Sequence, residues 1–229
     1  CRGYNTDVDI RTYIDKAVID CQGFFYDEIS TREIDHRLAQ CCSQLAIYEP
    51  EMAYLGGYIL LSSLKKDIEN NSFSYLDNPK LTGHFKEKFI QFTKPVVDEL
   101  PMTYFAANTF INEFSLKDSN ENPTELPSDS YWRVAVTLGD SRQSVNSYFY
   151  NLYNRKISMS NPILVNAGTN MGKLISCTTL SIGDDTRESI LEAMNSSATH
   201  SSNNSGVGIY IGDTRSKLTS RSKGGTASG

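Results

Sequence analysis

Residues Leu174–Ile211 read LISCTTLSIGDDTRESILEAMNSSATHSSNNSGVGIYI. The opening Leu174 to Ile182 is rich in β-branched and apolar residues and predicts a strand, with Cys177 in its middle among hydroxyl side chains. Asp185-Thr186-Arg187-Glu188 offers an N-cap with a glutamate three residues on, which predicts a helix running to about residue 199. Val207-Gly208-Ile209-Tyr210-Ile211 is a second strand. Strand, helix and strand in this order predict a βαβ unit with parallel strands.

Upstream the pattern is helical. Ser30-Thr31-Arg32-Glu33 has the form of a capping box, and Ile34, Leu38, Cys41/Cys42 and Leu45 follow at helical spacing. Pro50 suits the first turn of another helix, whose apolar stripe includes Leu55, Ile59 and Leu64. Further helices are expected around 84–98, 101–115 and 129–154, with Lys117–Pro127 as a surface loop. The fold class is therefore α/β in two parts, a helical domain over 1–155 and an α/β segment over 156–229.

The chain has 229 residues, 39% hydrophobic and 21% charged, which places it among ordinary globular proteins. No apolar run approaches the roughly 18 residues of a membrane helix, so no membrane role is expected. The net charge of −5 argues against general nucleic-acid binding. No acidic residue follows Asp213, however, while Arg215, Lys217, Arg221 and Lys223 crowd together; this patch suits a partner carrying phosphate. Five cysteines, two of them adjacent, do not describe a secreted disulfide framework, and the expected compartment is the cytoplasm.

Two nucleotide motifs are near misses. Gly168–Leu174 is one residue short of a P-loop and has Leu where Ser or Thr must meet magnesium. Gly206–Gly212 has the third glycine of a dinucleotide fingerprint one place late. His36, His84 and His200 share no ligand spacing, and Cys41 and Cys42 point about 100° apart on a helix, so no metal site is expected. Cys41 and Cys42 read as packing residues, and Cys1 and Cys21 have no partner pattern.

The string from Ser160-Asn161-Pro162-Ile163-Leu164-Val165-Asn166-Ala167-Gly168-Thr169 to Ser176-Cys177 resembles the start of the barrel in class I (aerobic) ribonucleotide reductase large subunits, where an (S/T)-P-T-L-x-N-A-G-T segment leads into S-S-C. Asp184-Asp185-Thr186, Gly206-Val207-Gly208-Ile209 and Thr214-Arg215 continue the likeness without a gap. Phe25-Tyr26-Asp27, Met102–Phe105 and Trp132–Val136 resemble markers of that family's helical N-terminal domain. The resemblance implies a helical domain followed by the first strand-helix-strand of a ten-stranded α/β barrel.

It also implies roles. Cys177 would be one of two thiols that reduce the substrate 2′ position and end as a disulfide, since removing a hydroxyl takes two electrons and a cysteine pair supplies them. Asn161 and Ser176 would contact substrate, with main-chain groups at Ser205 and Gly206 near its phosphates; Asn161 departs from the usual Thr or Ser. Asp185 and Thr186 would begin a helix that meets its twin across a homodimer and hold a specificity effector, a deoxynucleoside triphosphate or ATP. Ser202, Arg215 and Lys223 would assist, Arg215 by charge-assisted bonds to phosphate, although one extra residue precedes Lys223.

The implied activity is ribonucleoside-diphosphate reductase, an allosteric oxidoreductase making deoxyribonucleotides for DNA synthesis. Its implied partners are a small subunit that supplies metal and radical, the remaining part of the large subunit, and thioredoxin or glutaredoxin; no cofactor is expected in this chain itself. The chain starts on Cys1, the residue an intein leaves at its downstream junction, and stops within a glycine-rich basic stretch. A truncated chain, a split-gene product or a spliced precursor is therefore expected, with the radical cysteine and second redox thiol beyond Gly229, and with no turnover by this piece alone. A non-catalytic nucleotide-binding regulatory module, built on Asp185, Arg215 and the basic tail, is the alternative; a helical interaction protein using the tail for nucleic acid is a weaker one.

Overall fold

The computed structural model describes residues 9–70, 74–203, 205–220 and 224–226. Over these residues the chain forms two compact units, Cys1–Met159 with Ala167–Asn170, and Ser160–Asn166 with Met171–Gly229.

The first unit is helical. Its helices are α1 (Ile10–Gln22), α2 (Thr31–Leu45), α3 (Glu51–Asn70), α4 (Gly83–Ile90), α5 (Tyr104–Thr109), α6 (Pro127–Leu138) and α7 (Arg142–Tyr153). Side-chain caps start many of them: Ser30 accepts from Glu33 N, Thr82 from Phe85 N and Thr103 from Ala106 N. Each cap satisfies a first-turn N–H that has no partner inside its helix. The Glu33 side chain accepts instead from the Tyr26 hydroxyl at 2.7 Å.

Three expected helices are trimmed. The helix expected over 84–98 ends at Ile90, because Pro95 brings no N–H and disfavours helical geometry at Lys94. The next waits for the Thr103 cap and closes in a single π turn, Phe110–Phe114. The helix expected over 129–154 is two, broken at Gly139, where a Cβ would stand 2.7 Å from Val145 N; Ser141 then caps α7.

Close approach explains two glycines inside α3. A Cβ on Gly56 would meet Ala39 O of α2 at 2.7 Å, and one on Gly57 would meet Met102 O at 1.9 Å. The helical cost of glycine, about 1 kcal/mol against alanine, is offset by the packing it allows. The thiols of Cys21, Cys41 and Cys42 pack with Ala17, Leu45 and Met52 where α1 meets α2, as apolar side chains do. A second cluster gathers Leu81, Phe85, Trp132, Val136, Val145 and Phe149, with Trp132 edge-on to Phe149. Full burial of each such side chain contributes about 1.5–3 kcal/mol.

Lys117–Pro127 is not wholly a surface loop. Glu125 is fully buried, and its carboxylate takes Arg133 Nε at 2.7 Å and Nη2 at 3.0 Å. Tyr75 Oη and Leu116 N also donate to it, at 2.5 and 3.2 Å. Arg133 Nη1 reaches Ala167 O at 2.7 Å, which draws the segment Ala167–Asn170 into this unit. Next to it Gly168 takes φ +75° with its α-carbon against the Phe85 ring, and Thr169 bridges Leu81.

The second unit holds α8 (Asn161–Asn166), β1 (Cys177–Ser181), α9 (Arg187–Ser202) and β2 (Gly206–Tyr210). The strands are parallel, with Cys177 opposite Gly206 and Ser181 opposite Tyr210, and α9 is the crossover between them. The first strand is shorter than Leu174–Ile182, so Cys177 opens it instead of lying mid-strand. Pro162–Val165, an apolar run in the sequence, is helical within α8. The cap of α9 is Thr186, not Asp185: Thr186 Oγ1 accepts from Ser189 N at 3.2 Å, because the Asp185 carboxylate is occupied elsewhere.

Glu125→Ala is expected to destabilise the first unit by about 3–5 kcal/mol, because Arg133 would keep a buried, uncompensated charge. Urea unfolding should show this as a lower midpoint, with part of the loss recovered in Glu125→Ala/Arg133→Met.

Candidate functional site

The strand pair of the second unit gathers the residues singled out in the sequence into two clusters, one at each end of β1 and β2. At the starting end, Gly206 N donates to Ser176 O at 2.9 Å, which sets Cys177 beside Gly206. Ser176 Oγ lies 3.7 Å from Cys177 Sγ. Ser205 is buried and its hydroxyl meets Thr178 Oγ1 at 3.1 Å. Ser176, Cys177, Ser205 and Gly206 are thus neighbours, although 27 positions separate Thr178 from Ser205 in the chain.

Strand alternation decides which side chains are free. Thr178, Leu180 and Val207 are half-buried, on the side that α9 covers, while Cys177, Thr179 and Ser181 are exposed on the other. Gly206 and Gly208 share this open side. A Cβ at Gly206 would be 3.8 Å from Cys177 Sγ, and one at Gly208 would meet nothing within 4 Å. Among the described residues neither glycine is required by packing, so the pair leaves a shallow bare strip beside the thiol. Such a strip suits close approach of a ligand.

Cys177 is the exposed thiol among the described cysteines; Cys21, Cys41 and Cys42 are buried. Burial pushes all three buried thiols up, Cys42 to about 11, which keeps them protonated and unreactive.

At the other end, about 13 Å away along the strand, Asp185 meets Arg215. Asp185 Oδ2 accepts from Arg215 N at 3.0 Å and from Arg215 Nε, and Arg215 Nη2 donates to Asp185 O at 2.7 Å. The Arg215 hydrogen bond holds the Asp185 carboxyl below the usual carboxylate range. Thr186 lies beside it as the cap of α9. The resemblance assigns both residues to one site, but their direct pairing is not marked in the sequence, since the partners are 30 residues apart.

Other expected site residues stand apart. Ser202 ends α9, about 24 Å from Thr186 at about 1.5 Å per residue, and its hydroxyl donates to Thr199 O. Asn161 is exposed at the start of the six-residue α8 and makes no side-chain hydrogen bond among the described residues. Lys223 and Cys1 lie outside the described residues. Asn166 is buried and its amide donates to Lys173 O at 2.9 Å; a Cβ on Gly172 would come within 2.8 Å of that amide, so both residues shape the turn that leads to β1. In the first unit a cleft bordered by Tyr58, Leu61, Lys94, Glu99, Met102 and Ser128 contains none of the expected substrate, effector or redox residues, although burial pushes the Glu99 carboxyl up there. No helix among the described residues is long and apolar enough to cross a membrane.

Residues 101–172 match the family described as ribonucleotide reductase, all-alpha domain. The chain is 28% identical over 239 residues to the ribonucleoside-diphosphate reductase large subunit of Variola virus, an alignment covering 94% of this chain and 30% of that protein. It is 27% identical over 232 residues to the large subunit of Danio rerio, covering 92% of this chain and 29% of the relative. With the reductase subunit alpha of Helicobacter pylori it shares 27% identity over 177 residues, 69% of this chain and 22% of that protein. The chain thus spans under a third of the length of these relatives.

Two outcomes follow from the geometry. Brief treatment with a maleimide should label Cys177 before Cys21, Cys41 or Cys42, read by peptide mass spectrometry. Because the Asp185 carboxyl is depressed in the fold, its pairing with Arg215 contributes stability above the unfolded carboxylate value of about 3.9 and loses it as pH falls through the folded value. Carboxylate NMR should show the Asp185 titration moving up toward that value in Arg215→Gln.

Proposed function

We propose that this chain, which is similar to ribonucleotide reductase large subunits, contributes the helical domain and the first barrel strands of a ribonucleoside-diphosphate reductase. The helical part would be residues 1–155, and 156–229 would open the ten-stranded barrel; the parallel β1–α9–β2 crossover supports that topology. The observation that carries the reading is Cys177, an exposed thiol at the start of β1 beside Ser176 and the bare glycine strip.

In this reading a ribonucleoside diphosphate lies over the open side of the strand pair. The Ser176 hydroxyl and the main chain at Ser205–Gly206 orient it, with Asn161 brought in by the assembled subunit. Cys177 and a second thiol, from the rest of the large subunit, give up two electrons and two hydrogens. The 2′-hydroxyl leaves as water, a hydrogen takes its place, and the two sulfurs form a disulfide. A dithiol protein such as thioredoxin or glutaredoxin restores the pair by exchange. Radical initiation falls to a metal-bearing small subunit. The product role is deoxyribonucleotide supply for DNA synthesis in the cytoplasm.

The Asp185 end would hold the effector, a deoxynucleoside triphosphate or ATP, with Thr186 beside it and Arg215 and Lys223 on its phosphates. Ser202 fits this site through a second copy. Arg187, Leu191, Met194, Ala198 and Ser202 form one stripe of α9, on which Leu191 and Met194 are 56% and 60% exposed. Two such stripes packed antiparallel would bury these apolar side chains and bring Ser202 of one copy toward Asp185 of the other.

In the assembled large subunit with its small subunit, Cys177→Ser should abolish CDP reduction while leaving effector binding intact. Unchanged turnover would demote Cys177 to a packing residue and favour a regulatory nucleotide-binding module built on Asp185 and Arg215. Leu191→Glu/Met194→Glu should shift the protein to monomer in sedimentation and weaken nucleotide binding with it.

A further inference from the structure

The guanidinium that the proposed effector site would offer to phosphate is already engaged. Arg215 makes three hydrogen bonds to Asp185, two to one carboxylate oxygen and one to the main-chain carbonyl. Arg215 Nη1 has no hydrogen-bond partner among the described residues, and the side chains of Arg215 and Asp185 remain 38% and 25% exposed. A carboxylate oxygen on the Nε edge of an arginine occupies the place that a phosphate oxygen takes in the charge-assisted pairing of guanidinium with phosphate. Asp185 also stands directly before the cap of the sixteen-residue α9, where the helix dipole favours an anion of either kind.

We infer that Asp185 is an internal stand-in for phosphate, a latch that a triphosphate must displace from Arg215 before it can bind. The inference rests on the effector reading of this end of the strand pair and adds a regulatory step to it. The latch joins the loop after β1 to the chain that follows β2. Displacement would unfasten these two segments, so that binding and loop release become one event. An exposed pair is weak, and that is what a displaceable latch requires: the expected penalty on phosphate affinity is about two- to fivefold.

Inorganic tripolyphosphate, which carries the phosphates without a nucleoside, is the direct probe. By calorimetry on the full chain, Asp185→Asn should bind it about two- to fivefold tighter than the wild type, and Arg215→Gln should lose most of that binding. Equal or weaker binding by Asp185→Asn overturns the latch. Should nucleoside triphosphates bind while tripolyphosphate does not, the latch fails and the effector reading stands. If neither binds the wild type or the variant, both fail. The wild type offers a second measurement that needs no variant to fold: the Arg215 Nε–H resonance should move on saturation with tripolyphosphate, and an unmoved resonance overturns the latch.

Discussion

The buried pairing of Glu125 with Arg133 is the constraint on which the first unit turns. Both side chains have no exposed surface, and neither charge has water to fall back on. Their attraction must therefore be completed by further hydrogen bonds, and these come from dispersed stretches of chain: Tyr75, Leu116, Ser130 and the carbonyl of Ala167. Burial and the neighbouring carboxylate push the Tyr75 hydroxyl well above its ordinary range, which keeps it a donor to Glu125. Breaking one member strands the others, so the network specifies a single arrangement more than it adds net stability.

That arrangement gives the Asn166-Ala167-Gly168-Thr169 motif a physical meaning. Ala167 supplies a carbonyl to Arg133, Gly168 supplies a left-handed turn against Phe85, and Thr169 pairs with Leu81. Asn166, in the second unit, braces the turn toward Lys173. These four residues anchor backbone, and the neighbouring Gly172 makes room for the Asn166 amide. The likeness of Gly168–Leu174 to a phosphate loop is therefore a likeness of composition, arising because tight turns and phosphate cradles both need glycine.

The second unit places chemistry by strand geometry. A parallel pair in which Cys177 stands opposite Gly206 puts thiol, hydroxyl and bare backbone at one end, and the Asp185–Arg215 contact at the other. Period-two alternation sends Thr178 and Leu180 toward α9 and leaves Cys177 and Thr179 open. One crossover helix thus separates an exposed thiol from a charged pair while fixing both to the same scaffold. The similarity of the chain to ribonucleotide reductase large subunits gives each end a proposed task, substrate at one and effector at the other.

Local signals were legible in the sequence by itself. The capping serine at 30, the helical spacing of Cys41, Cys42 and Leu45, and the strand-helix-strand order after Leu174 depend on near neighbours along the chain, and the structure contains them. The motif around Cys177 was likewise readable as a family likeness. What only the tertiary structure decided is pairing across distance. Glu125 looked like part of a solvated loop until Arg133 and Tyr75 enclosed it, and Asp185 looked like a helix cap until Arg215 claimed its carboxylate and left the cap to Thr186. The exposure of Cys177 against the burial of three other thiols is decided the same way. Capping and periodicity act over a few residues and leave a trace in the order of the chain. Burial and ion pairing depend on which distant segment arrives alongside, and that is settled only when the chain packs.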